Sequence, residues 1–119
     1  MAAAERITIY HNPRCTKSRA ALALLTERNL TPHVVEYLTN PPSAAELGRI
    51  TRLLGVKPEA LVRKGEEVYK REFAKRTLSD AEWLDALARH PVLIERPIVV
   101  VGDRAVIGRP PENVLSLLG

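Results

Sequence analysis

The pattern that most restricts the fold is a pair of strand-forming runs separated by a helical stretch, answered late in the chain by a second pair. Ile7-Thr8-Ile9-Tyr10 is β-branched and aromatic, which suits a pleated strand. Asn12-Pro13 stops it. From Thr16 onward Ala20, Ala21, Leu22, Ala23, Leu24 and Leu25 are strong helix formers, with Ala21, Leu24 and Leu25 on one face. Asn29 and Thr31-Pro32 end that helix, and His33-Val34-Val35-Glu36-Tyr37-Leu38 reads as the next strand. Strand, helix and strand at this spacing predict a βαβ unit, a parallel pair joined by a right-handed crossover.

The middle of the chain is helical. Asn40-Pro41-Pro42 is a stiff connector, and Ser43-Ala44-Ala45-Glu46 is a capping box before Leu47, Ile50, Thr51 and Leu54 at helical spacing. Gly55 closes that helix. Pro58 to Val62 predicts one helical turn. The charged stretch from Glu66 to Thr77 predicts a short helix or an irregular lid anchored by Val68, Tyr69 and Phe73. Ser79-Asp80-Ala81-Glu82 is a second capping box, and Trp83, Leu84, Leu87 and Ala88 mark a buried stripe that ends near His90-Pro91.

Pro97-Ile98-Val99-Val100-Val101 has the near-continuous apolar character of a strand covered on both faces. Gly102-Asp103 turns it into Arg104-Ala105-Val106-Ile107 as a β-hairpin. Pro110-Pro111-Glu112 then opens an amphipathic terminal helix carrying Val114, Leu115, Leu117 and Leu118. The order is β-α-β, about three helices, then β-β-α. It predicts an α/β chain, a single domain over 1–119, with a four-stranded mixed sheet, flanking helices and a helical insertion over approximately 43–91. This is the outline of a thioredoxin-like fold.

Charge and composition exclude several function classes. The 119 residues carry a net charge of +4, and thirteen of the eighteen basic residues are arginine. Bases and acids are interleaved and stacking aromatics are few, which argues against a nucleic-acid surface. No apolar run approaches the roughly 20 residues that span a bilayer, and Met1-Ala2-Ala3-Ala4-Glu5-Arg6 lacks the basic start and apolar run of a secretion signal. With one cysteine no internal disulfide forms, which points to a reducing compartment and a cytoplasmic location.

That cysteine, Cys15, falls between the Asn12-Pro13 turn and the first helix. The first helical N–H groups lack intrahelical partners, and the macrodipole places about half a positive charge there. Thiols at such positions have pKa values of roughly 3.5–7.5 against about 8.5 unperturbed, and Arg14, Lys17, Arg19 and His11 are close in sequence. The same junction accommodates an oxyanion. By composition alone a lone cysteine is an inert, buried apolar group; its seat between a polar turn and a cationic first turn reverses that reading. A nucleophilic thiolate beside an anion pocket predicts sulfur attack on an oxyanion centre.

Several motifs extend the reading. Tyr10-His11-Asn12-Pro13-Arg14-Cys15, Tyr37-Leu38 before Pro41-Pro42, Leu61-Val62-Arg63, His90-Pro91, Glu95-Arg96-Pro97-Ile98-Val99-Val100 and Gly108-Arg109-Pro110-Pro111 together resemble the glutaredoxin-linked arsenate reductase family, closest to its short arsenate reductase-like branch. The resemblance implies that Cys15 is the nucleophile and that His11 influences its ionisation. It implies that Arg63, Arg96 and Arg109 bind the oxyanion and stabilise the thiolate and its arsenic adduct, and that the Arg96–Pro97 bond is cis. Asn12, Thr16, Ser18, Arg19 and Pro97 are expected to support the site. Without the resemblance the three arginines read as surface cations and His11 as a strand-end histidine; His33 and His90 read as structural or solvated. Where the well-characterised reductases carry Gly-Thr-Ser-Arg after the cysteine, this chain has Thr16-Lys17-Ser18-Arg19.

The resemblance further implies no bound cofactor and no metal, with arsenate or a similar oxyanion as substrate, glutathione as co-substrate and glutaredoxin as partner. The chain holds no second cysteine, so the resolving thiol comes from another molecule. Two other functions fit the same features. Cys15-Thr16-Lys17-Ser18 has the Cys-x-x-Ser spacing of a monothiol, glutathione-linked redox carrier. The fold also hosts RNA polymerase-binding regulators, for which Ser18 in place of a second cysteine leaves only a redox-independent role.

Overall fold

The computed structural model describes residues 6–118, so the amino-terminal stretch read above for a secretion signal lies, apart from Arg6, outside the described residues. The chain divides into two compact units, one built from the segment up to Asn40 and the segment from Arg96 onward, the other from Pro41–Glu95.

The first unit holds the sheet. Strands β1 (Ile7–His11), β2 (His33–Glu36), β3 (Ile98–Val101) and β4 (Arg104–Ile107) lie in the order β2-β1-β3-β4. β1 and β2 are parallel, with His11 opposite Glu36, and helix α1 (Thr16–Glu27) makes the crossover. β3 runs antiparallel to β1, with Ile9 opposite Val99, and pairs with β4 as a hairpin, with Ile98 opposite Ile107. The thioredoxin-like, four-stranded mixed sheet is therefore the architecture of this unit. Beyond α1 the chain turns at Asn29, a non-glycine residue in the left-handed region (φ 60°), where asparagine is tolerated. β2 is shorter than the apolar pattern predicts. The N–H groups of Thr39 and Asn40 both donate to the Glu36 carbonyl (3.1 and 2.9 Å), which bends the chain and buries Tyr37.

The core of this unit joins one sheet face to α1 and the C-terminal segment. Ile7, Ile9, Val99 and Val101 meet Ala21 and Leu25 of α1 and Val114 and Leu117 beyond β4. Leu24, expected inside, is only half-buried. The terminal segment Pro111–Leu117 is a 3₁₀-helix rather than the amphipathic α-helix predicted. A three-residue repeat places Val114 and Leu117 directly above one another, and those are its two buried side chains. Asn113 Nδ2 donates to the Ile107 and Arg109 carbonyls (3.3 and 3.1 Å), and Arg104 Nη2 donates to the Leu117 carbonyl (2.9 Å).

The second unit is helical: α2 (Ala44–Leu54), a 3₁₀ turn at Pro58–Leu61, α3 (Glu67–Glu72), α4 (Asp80–Arg89) and a 3₁₀ turn at Pro91–Leu93. Ser43 Oγ accepts the Glu46 N–H, and Ser79 with Glu82 forms a complete reciprocal capping box. Each cap contributes about 1 kcal/mol to its helix. The charged stretch resolves as the six-residue α3 followed by a turn, held by Phe73. Its ring is buried, 5.7 Å from Trp83 and edge-on to His90 at 5.7 Å. The buried stripe of α4 is Trp83, Ala86 and Leu87, with Leu84 and Ala88 half-buried at its margin. A bridge absent from the sequence pattern pairs Val62 with Ile94; the Arg63 N–H donates to Leu93 O and the Glu95 N–H to Leu61 O, each at 2.7 Å. Among the described residues no helix is long and apolar enough to cross a membrane.

Candidate active site

The turn that carries Cys15 is built by Asn12 and Ser18. The Cys15 N–H donates to the Asn12 carbonyl (3.0 Å), closing a turn over Asn12–Cys15. Asn12 Oδ1 accepts the Arg14 N–H (3.0 Å), the local bond through which asparagine initiates turns. The Asn12 N–H donates to Ser18 Oγ (3.2 Å), and Ser18 is wholly buried. Arg19 braces the outer side, with Nη1 on the Pro13 carbonyl (2.9 Å) and Nη2 on Thr16 Oγ1 (3.5 Å).

Cys15 is the N-cap of α1, with extended backbone (φ −94°, ψ 124°). Partial burial pushes its thiol pKa up. The Ser18 N–H, a hydrogen bond from the Arg96 side chain, the Lys17 N–H and the Arg96 charge outweigh that, and the net result lies below the ordinary thiol range. The lowering thus comes from backbone N–H groups of the first helical turn and from one guanidinium far along the chain, Arg96. The nearby cations act differently from the expectation. Lys17 contributes through its main chain, Arg14 is exposed, and the Arg19 guanidinium is spent on Pro13 and Thr16.

Arg96 and Arg109 flank the paired ends of β3 and β4, and Arg109 Nη1 donates to the Arg96 carbonyl (3.3 Å). Pro97 is buried, both Arg96–Pro97 and Arg109–Pro110 are cis, and the Gly108 N–H donates to the Pro97 carbonyl (2.8 Å). The second cis bond left no signal in the sequence beyond the Arg-Pro pair itself.

His11 closes β1 and is 5 % exposed, with no hydrogen-bond partner at Nδ1. Burial lowers its pKa, Glu36 opposite it on β2 works the other way, and Arg19 adds to the lowering. The imidazole is therefore neutral near pH 7. Glu36 was missed by sequence reasoning; the parallel register that places it beside His11 is its only signal.

Arg63 lies in the helical unit. Its Nε meets Glu66 (3.2 Å) and its Nη1 meets Glu95 (3.1 Å), with the side chain 23 % exposed. The i,i+3 spacing makes Glu66 legible in the sequence, whereas Glu95 reaches Arg63 only through the Val62–Ile94 bridge. Among the described residues there is no group of three or more His, Cys, Asp or Glu side chains able to hold a metal ion.

A thioredoxin-like sheet that presents the chain's one cysteine at a helix N-terminus, with Arg96 among the groups that lower its pKa, marks this turn as the candidate site. The model of the ArsC family matches residues 10–117, and the chain belongs to that family. It is 44 % identical over 114 residues to an arsenate reductase of Neisseria meningitidis strain MC58, covering 94 % of this chain and 97 % of that protein. It is also 44 % identical over 117 residues to the uncharacterized protein YfgD of Escherichia coli K12, covering 97 % and 98 %. The solved structure of an arsenate reductase from Vibrio cholerae superposes with a TM-score of 0.89 at 47 % identity, over 95 % of this chain and 98 % of that one.

Proposed function

We propose that this chain reduces arsenate to arsenite through a covalent adduct on Cys15. The observation that carries the reading is Cys15 at the N-cap of α1, its pKa lowered by the Ser18 N–H, Arg96 and the Lys17 N–H against burial. Membership of the ArsC family and the likeness to proteins named arsenate reductase support it.

The Cys15 thiolate attacks arsenic, forming an S–As bond while one oxygen takes up two protons and leaves as water. Arg96 and Arg109 suit the remaining oxygens, because planar guanidinium forks bind oxyanions bidentately. We assign the resolving step to glutathione. Its thiolate forms an S–S bond to Cys15, and the S–As electron pair passes to arsenic, which departs as arsenite. Glutaredoxin then takes the glutathione by thiol–disulfide exchange and returns the Cys15 thiolate. This sequence needs a pool of reduced glutathione, which suits the cytoplasm. The reading includes Arg63 as a further oxyanion-binding group and His11 as a neighbour that tunes the site.

The test is NADPH consumption with arsenate, glutathione, glutaredoxin and glutathione reductase. Turnover that is absent in Cys15→Ser and weakened in arsenate KM by Arg63→Ala and Arg109→Ala is expected. No turnover above the Cys15→Ser control rejects the reading. Rapid exchange of Cys15-bound glutathione without any response to arsenate selects a monothiol carrier instead.

A further inference from the structure

Beside the Cys15 turn, wholly within the sheet-bearing unit, is a groove of about 280 Å³ lined by His11, Asn12, Arg14, Glu36, Leu38 and Thr39 among others. Its volume is near the lower end of small-ligand sites. Three features set it apart from an ordinary surface fold. It carries one acid and one base, Glu36 and Arg14, and neither forms an ion pair with another described residue. It includes His11, which is more than nine-tenths buried with Nδ1 unpartnered. Its wall from Asn12 to Arg14 is the same turn that ends at Cys15. Leu38, one of the few large apolar side chains left exposed, supplies an apolar edge.

From this arrangement we infer that the groove is the seat of the resolving thiol, a zwitterionic thiol peptide of about tripeptide size, with Glu36 taking its ammonium group and Arg14 a carboxylate. The inference rests on the resolving step of the proposed function and adds the place and the groups that recognise the thiol. Paired opposite charges on a half-apolar floor discriminate a zwitterion from a neutral thiol. A simple anion such as arsenate meets the Glu36 carboxylate there and is repelled. The thiol held in the groove lies beside the Asn12–Arg14 wall, which runs into Cys15. It forms the S–S bond to Cys15 as the S–As pair leaves on arsenic, so the groove binds the nucleophile and the arginines bind the leaving group.

The test uses S-methylglutathione, which keeps both charges and cannot react, titrated into the ¹⁵N-labelled full chain. Saturable shifts are expected at the amides of His11, Asn12, Arg14, Glu36 and Thr39. Glu36→Gln and Arg14→Gln each weaken binding roughly tenfold, the size expected for losing one charge-assisted hydrogen bond. In turnover the same two variants raise the KM for glutathione and leave the KM for arsenate unchanged. Shifts confined to residues outside the groove, or unchanged affinity in both variants, overturn the inference. If the chain fails to reduce arsenate yet binds S-methylglutathione here, the groove stands and the proposed function falls. If arsenate is reduced with wild-type glutathione dependence in both variants, the function stands and the groove falls.

Discussion

Gly108 packs against Pro97 so closely that a Cβ built on the glycine stands 2.9 Å from the proline Cγ, with Val114 Cγ1 at 3.3 Å and Ala21 Cβ at 3.5 Å. Three elements close on this point: α1, the start of β3 and the terminal 3₁₀-helix. Pro97 is a rigid ring and is covalently bound to Arg96, so pressure on it moves the guanidinium that contacts the Cys15 sulfur. Gly108→Ala is expected to cost about 1–3 kcal/mol, the usual range for overpacking, and to lower the melting temperature by several degrees. It also reduces Cys15 alkylation at neutral pH. Gly65→Ala, where a Cβ meets nothing within 4 Å, is the control and stays within about 0.5 kcal/mol of wild type.

Ser18 acts through its side chain on the turn and through its main chain on the sulfur. Ser18→Ala removes the acceptor of the Asn12 N–H while leaving the Ser18 N–H in place. The lost partner costs about 1–3 kcal/mol, read by urea denaturation. The Cys15 pKa moves little by comparison. A large upward pKa shift without loss of stability contradicts this division of roles.

The Cys15 thiol ionises below the ordinary range because of the Ser18 and Lys17 N–H groups and Arg96, which outweigh burial. Alkylation by iodoacetamide, followed against pH, is expected to show a midpoint below that of free cysteine, moved upward in Arg96→Ala. The linkage has a definite sign. Folding lowers this pKa, so the thiolate contributes stability that is complete above the unfolded thiol value and is lost as pH falls through the folded one. An Arg96→Ala midpoint equal to wild type contradicts the assignment of Arg96.

His11 is expected to titrate below the usual 6.5, chiefly through burial. Glu36 raises its pKa, so Glu36→Gln lowers it further, measurable on the imidazole proton resonances. Since the unfolded chain binds this proton more readily, stability is complete above about 6.5 and declines as pH falls toward the depressed folded value. A Glu36→Gln midpoint higher than wild type contradicts the proximity of the two groups.

Much of the fold was legible because its signals are local. The Ser43 and Ser79 caps, the turn at Asn12-Pro13, the hairpin at Gly102-Asp103 and the glycine stop at Gly55 each depend on interactions within a few residues. Cys15 belongs with them, since a strand, a turn and a helical run suffice to place it at the N-terminus of α1. Where the pattern misled, packing overrode propensity. Val114 and Leu117 face the core at a three-residue interval and draw the last segment into a 3₁₀-helix, and the Glu36 carbonyl collects two N–H groups and ends β2 early.

What the sequence determined by itself is the lone thiol and its helix-end setting, because both reside in one stretch of a dozen residues. Only the tertiary structure decided which cation meets the sulfur. Four cationic or titratable residues near Cys15 in sequence were candidates, and the side chain that acts on its sulfur is Arg96, delivered by β3 running antiparallel to β1. The pairing of Glu36 with His11 and of Glu95 with Arg63 was decided in the same way. Strand register and chain crossing set these distances, and a one-dimensional pattern carries neither.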